Sequence, residues 1–263
     1  MGQAVVAQAP LTIVTARASG RAAITALALI ATAAHADDRK YTVADLKTLV
    51  GERAFQEAFT HLGDIAPTQR TAEWIDVAAT AAVGVLQALP TDDASAIAMI
   101  DAVDREYPQL LKATKYTKVR AELGVKGIAV CYQRMDTEEC VRAATRFVAA
   151  SDREVTIEVA RTTTPHAAAA ALAMFKQAFD PKDPKLCKDE RLQRAMIAGL
   201  WTTEGKPTAT DARSLMTSCW DGVKDAIVKT FGEAGKNSDF HKNTCDVLKA
   251  KRLLSSLQAK RCK

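Results

Sequence analysis

From Thr42 onward, apolar side chains recur every three or four residues, and almost nowhere do they alternate with polar ones. A period of 3.6 places such residues on one face of a helix, whereas a half-buried strand needs a period of two. Alanine, the strongest helix former, dominates, and only 12 of the 263 residues are glycine. The chain is therefore expected to be all-α.

The punctuation predicts about ten helices joined by short turns. The first starts at Thr42, where Asp45 offers a box-like cap, and a second piece carries Phe55, Ala58, Phe59 and Leu62. Residues Gly63 to Thr68 read as a turn. The next helix presents Trp74, Val77, Ala78, Ala81, Ala82, Val85, Leu86 and Leu89 on one broad face until Pro90 ends it. Asp92-Asp93 suits the following N-terminus, and helices run over 94–106, 108–133 and 137–150. Gly124 and Gly127 are candidate breaks in the longest of these. Val155-Thr156-Ile157-Glu158-Val159 suits a strand, but a lone strand has no partner, so 153–163 is read as helix. Thr164 with Pro165 behind it opens a helix reaching Phe179. Asp180 to Pro184 is the clearest linker-like stretch. Later helices cover 188–201, 210–234 with a candidate break at Gly222, and 239 to the end.

Repeated helix pairs point to stacked antiparallel hairpins, an α-solenoid-like arrangement. The segment Ile128 to Ser151 resembles a tetratricopeptide unit. Cys131 stands at the large-residue position of its first helix, Cys140 at the small position of the second, and Phe147 and Ala150 follow on the same side. Met135 stands where that family usually has glycine, and no proline closes the unit. Trp74-x-x-Val77-Ala78 also fits the start of such a unit, although Pro90 falls where its small residue belongs. The resemblance implies a helical-repeat binding scaffold.

Arg17 and Arg21 precede the apolar run Ala22 to Ala34, which ends in Ala34-His35-Ala36 before Asp37-Asp38-Arg39-Lys40. A basic flank, a short apolar core and small residues at −3 and −1 make residues 1–36 a secretory signal peptide. The run falls short of the roughly 20 residues a membrane span needs, so no anchor is expected after cleavage. Residues 37–263 are then a single all-α domain, with a possible subdivision near 180–186. The expected location is periplasmic or secreted, where thiols are oxidised.

Six cysteines follow: Cys131, Cys140, Cys187, Cys219, Cys245 and Cys262. None forms a C-x-x-C pair, so three disulfides are expected, without a redox or zinc motif. Cys131 and Cys140 flank a turn between antiparallel helices, and their Cα atoms are expected to approach the roughly 5.5 Å a bridge needs. The other four allow Cys187–Cys219 with Cys245–Cys262, or Cys187–Cys245 with Cys219–Cys262. A continuous helix would hold residues 245 and 262 about 25 Å apart, so that bridge requires a break near Ala250-Lys251.

No serine-hydrolase elbow, phosphate loop, dinucleotide fingerprint or H-E-x-x-H pair occurs, so no catalytic residue, cofactor or metal is assigned. His241 and Cys245 have the spacing of two metal ligands on one helical face, but a four-ligand site needs two more. Aromatic residues make up only 5% of the chain, too few for a base-stacking platform, and no nucleic-acid partner is expected. Two groups are candidate binding residues. His61, Asp64, Arg70 and Trp74 crowd a helix corner, where Asp64 and Thr68 or Thr71 are expected to cap helices and Arg70 to pair with Glu73. Lys249, Lys251, Arg252, Lys260 and Arg261 belong to a basic segment on an otherwise slightly acidic body. The leading expectation is a non-enzymatic scaffold that binds another envelope or secreted protein. The alternatives are a binder of an anionic surface through the basic segment, or a hydrolase built around His61 or His166.

Overall fold

The computed structural model describes residues 40–90, 95–252, 254 and 261–262. The signal peptide over 1–36, the Asp92-Asp93 pair and Lys260 lie outside them. Twelve α-helices occur among the described residues, with short 3-10 turns between some of them and no strand.

Side-chain hydrogen bonds cap half of the helix starts among the described residues. Thr42 Oγ1 accepts from the Asp45 amide (3.2 Å) and Asp45 Oδ2 accepts from the Thr42 amide (2.9 Å), a reciprocal box that opens α1 (Val43–Gly51). The helix closes through Arg53 at φ 63°, with amides of Arg53 and Ala54 bonded back to Val50 and Leu49 carbonyls. After α2 (Phe55–Thr60) the chain makes two 3-10 turns, and Thr71 then caps α3 (Ala72–Gln87). Next come α4 (Ser95–Glu106), α5 (Thr114–Arg134) and α6 (Thr137–Ala149), the last capped by Asp136. Asp152 caps α7 (Arg153–Thr163), and α8 is Ala168–Ala178. Asp189 caps α9 (Glu190–Leu200); α10 (Pro207–Ser218), α11 (Trp220–Glu233) and α12 (Asp239–Ala250) complete the set.

Several boundaries differ from those the sequence predicts. The 108–133 segment divides at Ala113 after a 3-10 turn at Pro108–Lys112, and runs unbroken through both glycines. Gly124 and Gly127 serve close packing instead: a Cβ on Gly124 would lie 2.2 Å from the Phe147 ring, and one on Gly127 3.3 Å from the Ile97 backbone. Thr164 does not start a helix. It stays in helical geometry with its hydroxyl donating to the Ala160 carbonyl, so α8 begins three residues after Pro165. The 210–234 segment starts at Pro207 and breaks at Cys219, three residues before Gly222. Residues 153–163 are helical, as read.

The stacking order follows the chain. Each helix packs against its neighbours in sequence, and most also pack against the next but one. Thus α3, α5, α7, α9 and α11 form one row, and α4, α6, α8, α10 and α12 a second, the layout of antiparallel hairpins stacked in a solenoid-like array. Alanines let the rows approach closely: Ala78, Ala79, Ala81, Ala82 and Ala171 are fully buried. Phe175, Phe240 and Leu172 fill the space between, each contributing about 2 kcal/mol by burial. Residues 39–263 make one compact unit, and α8 and α9 pack together across the Asp180–Pro184 stretch.

All six cysteines are paired: Cys131–Cys140, Cys187–Cys219 and Cys245–Cys262, with Cα separations of 5.7, 5.1 and 5.5 Å. The alternative pairing of the last four is excluded. The break that Cys245–Cys262 requires falls after Ala250, where Arg252 adopts φ 55°. No helix of the described residues is long and apolar enough to cross a membrane.

Gly222 should be the least replaceable helical glycine. A Cβ there would lie 2.7 Å from the Cys187 carbonyl oxygen, so Gly222→Ala is expected to lower stability by about 1–3 kcal/mol. Gly51→Ala meets nothing within 4 Å and should instead raise it by up to about 1 kcal/mol. Urea unfolding of both variants checks the opposite signs.

Candidate functional site

The site is built on a charge placed inside the stack. Along α5 the buried stripe runs Tyr116, Arg120, Gly124, Gly127, Ile128 and Cys131, so helical spacing carries Arg120 into the interior at 2% exposure. Its Nε donates to Asp104 Oδ2 (2.7 Å), Nη1 to Ser151 Oγ (2.8 Å) and Nη2 to the Phe147 carbonyl (2.9 Å). The guanidinium also lies 4.3 Å from the Phe147 ring centroid. The Tyr116 hydroxyl donates to the other Asp104 oxygen (2.7 Å). Burial, and then the Asp104 charge, push that hydroxyl far above its ordinary pKa, so it remains a donor.

Asp104 and Phe147 of this network line a groove of about 310 Å³ between α4 and α6. Ile97, Ile100, Leu111 and Phe147 give it apolar walls, and Asp101, Arg105 and Arg146 stand at its rim. Arg146 and Asp101 pair at 3.0 Å, while Arg105 is exposed at the end of α4. Of these residues the sequence singles out Phe147 alone, as part of the tetratricopeptide-like unit. The available signal was Arg120, a cation on an otherwise apolar stripe.

A second cleft, about 470 Å³, lies between α7 and the 3-10 turn Pro184–Lys188. Its arginines already have partners: Arg153 lies 3.1 Å from Asp183, and Arg161 Nε donates to Asp189 (2.7 Å).

His61, Asp64, Arg70 and Trp74 do come together, in an arrangement that ties the corner. His61 Nδ1 donates to Asp64 Oδ2 (2.9 Å), which also accepts from the Tyr41 amide (3.3 Å), and the Tyr41 ring stacks on His61 at 3.8 Å. Asp64 therefore holds the start of α1 and caps no helix. Arg70 does not pair with Glu73. It donates to the Ile65 carbonyl (3.1 Å) and lies over the Trp74 and Tyr107 rings, while Glu73 pairs with Lys47 (2.9 Å). Trp74 is fully buried. His166 stacks on Tyr132 (4.6 Å).

In the basic segment, Lys249, Lys251 and Arg252 are exposed at the end of α12. Arg261 is engaged elsewhere: its two terminal nitrogens donate to the Phe231 and Gly232 carbonyls (3.0 and 3.1 Å), capping α11. His241 is buried and stacks on Phe231 at 4.6 Å. Burial, then the charges of Arg261, Lys236 and Lys249, lower its pKa from the ordinary 6.5. Cys245, its candidate co-ligand, has its sulfur committed to Cys262. Among the described residues no three ligating side chains form a metal-binding group.

No family model, no curated protein and no solved structure matches the chain at a significant level.

Removing the buried cation should expose how much of the fold it organises. Arg120→Ala leaves the Asp104 side chain without its partner and is expected to cost about 3 kcal/mol in urea unfolding. The neutral state of His241 has a pH signature. Below about pH 6.5 the unfolded chain binds a proton there that the folded chain resists, so stability should fall as pH drops through that range. The melting temperature measured from pH 7.5 to 5.5 should decline less steeply in His241→Phe than in the parent chain.

Proposed function

We infer that the chain is an exported, non-enzymatic helical scaffold that binds another envelope or secreted protein through the groove between α4 and α6. The observation that carries the reading is the groove itself, with apolar walls, a charged rim and, in its lining, an Asp104 that Arg120 holds in place. That is the layout of helix-in-groove recognition, in which bulky anchors fill the floor and charges set the register. The expected occupant is an amphipathic helix with aliphatic anchors and an acidic residue facing Arg105. In this reading the α5–α6 hairpin, which Cys131–Cys140 bridges, is the tetratricopeptide-like unit.

Export is supported by the layout of residues 1–36 and by three closed disulfides. Binding to an anionic surface has less support, because Arg261 is occupied by α11 carbonyls. The hydrolase reading has the His61–Asp64 pair in its favour, but the Tyr41 ring covers one face of that imidazole, and His166 stands against Tyr132.

A photo-crosslinking residue at Ala150, on the groove, should trap a discrete protein in the exporting cell, and the same residue at Val228 on α11 should not. No adduct from position 150, equal adducts from both, or a lipid or polymer adduct in place of protein would each overturn the reading.

A further inference from the structure

The three disulfides sit in different surroundings. Cys262 is 9% exposed and Cys245 5%, against 0 to 4% for the other four cysteines. Cys131 has the Met135 thioether 3.8 Å away, whereas Cys245 Sγ has His241 Nδ1 at 3.7 Å. The His241 ring is fixed against Phe231, and its Nε2 is buried with no hydrogen-bond partner. Arg261, Lys236 and Lys249 add positive potential around it. A buried imidazole facing a sulfur costs stability while that sulfur is oxidised, since a disulfide is a poor acceptor. It becomes favourable once the sulfur carries a negative charge, because a thiolate beside a ring N–H and cations is stabilised.

We propose that Cys245–Cys262 is a thiol–disulfide exchange site whose substrate is a dithiol, with His241 as the group that receives the departing sulfur. A thiolate of the dithiol attacks Cys262 Sγ, the more exposed end. The Cys245–Cys262 bond breaks and its electron pair leaves on Cys245 Sγ, which accepts a hydrogen bond from neutral His241 Nδ1–H. The second thiol of the dithiol, deprotonated by solvent, attacks the mixed disulfide and Cys262 leaves as a thiolate. Both protein thiolates then equilibrate with solvent protons. Two electrons and two protons pass from the dithiol to the two cysteines, and the dithiol becomes a disulfide. Arg261 precedes Cys262 and caps the α11 carbonyls, so opening the bridge loosens the end of α11. The site does not depend on the partner inferred for the α4–α6 groove.

The test is reduction of the oxidised chain across a dithiothreitol series, with alkylation and peptide mapping of each bridge and circular dichroism at each step. Cys245–Cys262 should open first, at a dithiol concentration roughly tenfold below the other two bridges, with helicity retained. In that intermediate, the pH dependence of iodoacetamide labelling should place one thiol below the ordinary value of about 8.5. His241→Phe keeps the stack on Phe231 and removes the ring nitrogens. It should shift the opening of this bridge roughly tenfold toward the others and return the thiol to its ordinary range. Another bridge opening first, all three opening with loss of helicity, or a His241→Phe chain with unchanged midpoint and labelling would overturn the proposal. If that variant does not fold, the order of opening and the labelling profile of the parent chain decide it.

Discussion

Arg120 carries a full charge inside a helical stack, and four segments are arranged to answer it. Asp104 reaches it from α4, Tyr116 supports Asp104 from within α5, the Phe147 carbonyl comes from the end of α6, and Ser151 from the turn before α7. A buried guanidinium tolerates few alternatives, because each unmet N–H costs more than the bond itself is worth. The network therefore sets the relative depth of four segments that apolar packing alone would let slide. The same constraint shapes the surface above it. With Asp104 drawn inward and the Phe147 ring held under Arg120, the space between α4 and α6 is left apolar and open, and the groove follows from that.

The halves of the array are held by different means. Before residue 131 there is no disulfide, and close packing takes its place. Phe55 lies against the bare backbone of Gly84, Phe59 meets Tyr107 edge-on at 6.1 Å, and Trp74 is enclosed. Beyond residue 131 each bridge lies at a joint. Cys131–Cys140 closes a hairpin, Cys187–Cys219 ties a 3-10 turn to the α10–α11 junction, and Cys245–Cys262 folds the chain back after α12. Gly222 belongs to the second of these, since only a hydrogen there lets α11 lie on the Cys187 backbone.

Polar residues that crowd together in sequence turned out to be ties between elements. Asp64 holds two segments with one oxygen, and Arg70 lies on two aromatic rings and reaches a carbonyl, so both are engaged within the fold. The groove is instead walled by ordinary apolar residues, which no composition-based signal marks as a site. His241 shows the third possibility, a polar side chain whose neighbours leave part of it unanswered.

Sequence by itself determined what spans a few residues. The Thr42–Asp45 box and the Cys131–Cys140 bridge were legible because their partners lie within a turn or across one hairpin. Helical periodicity similarly gave the all-α class, and the want of a pairing partner for a lone strand gave the helix for 153–163. Tertiary structure alone decided which faces meet. Gly124 and Gly127 read as breaks until Phe147 and Ile97 were seen to need their space. The pairing of Cys187 with Cys219, the turn of Arg70 from Glu73 to Trp74, and the fork between Arg120 and Asp104 each depend on elements brought together by the stack. The physical reason is that a cap is a hydrogen bond the backbone places unaided. A groove or a buried ion pair exists only after helices have chosen their neighbours, and that choice rests on the summed packing of the whole array.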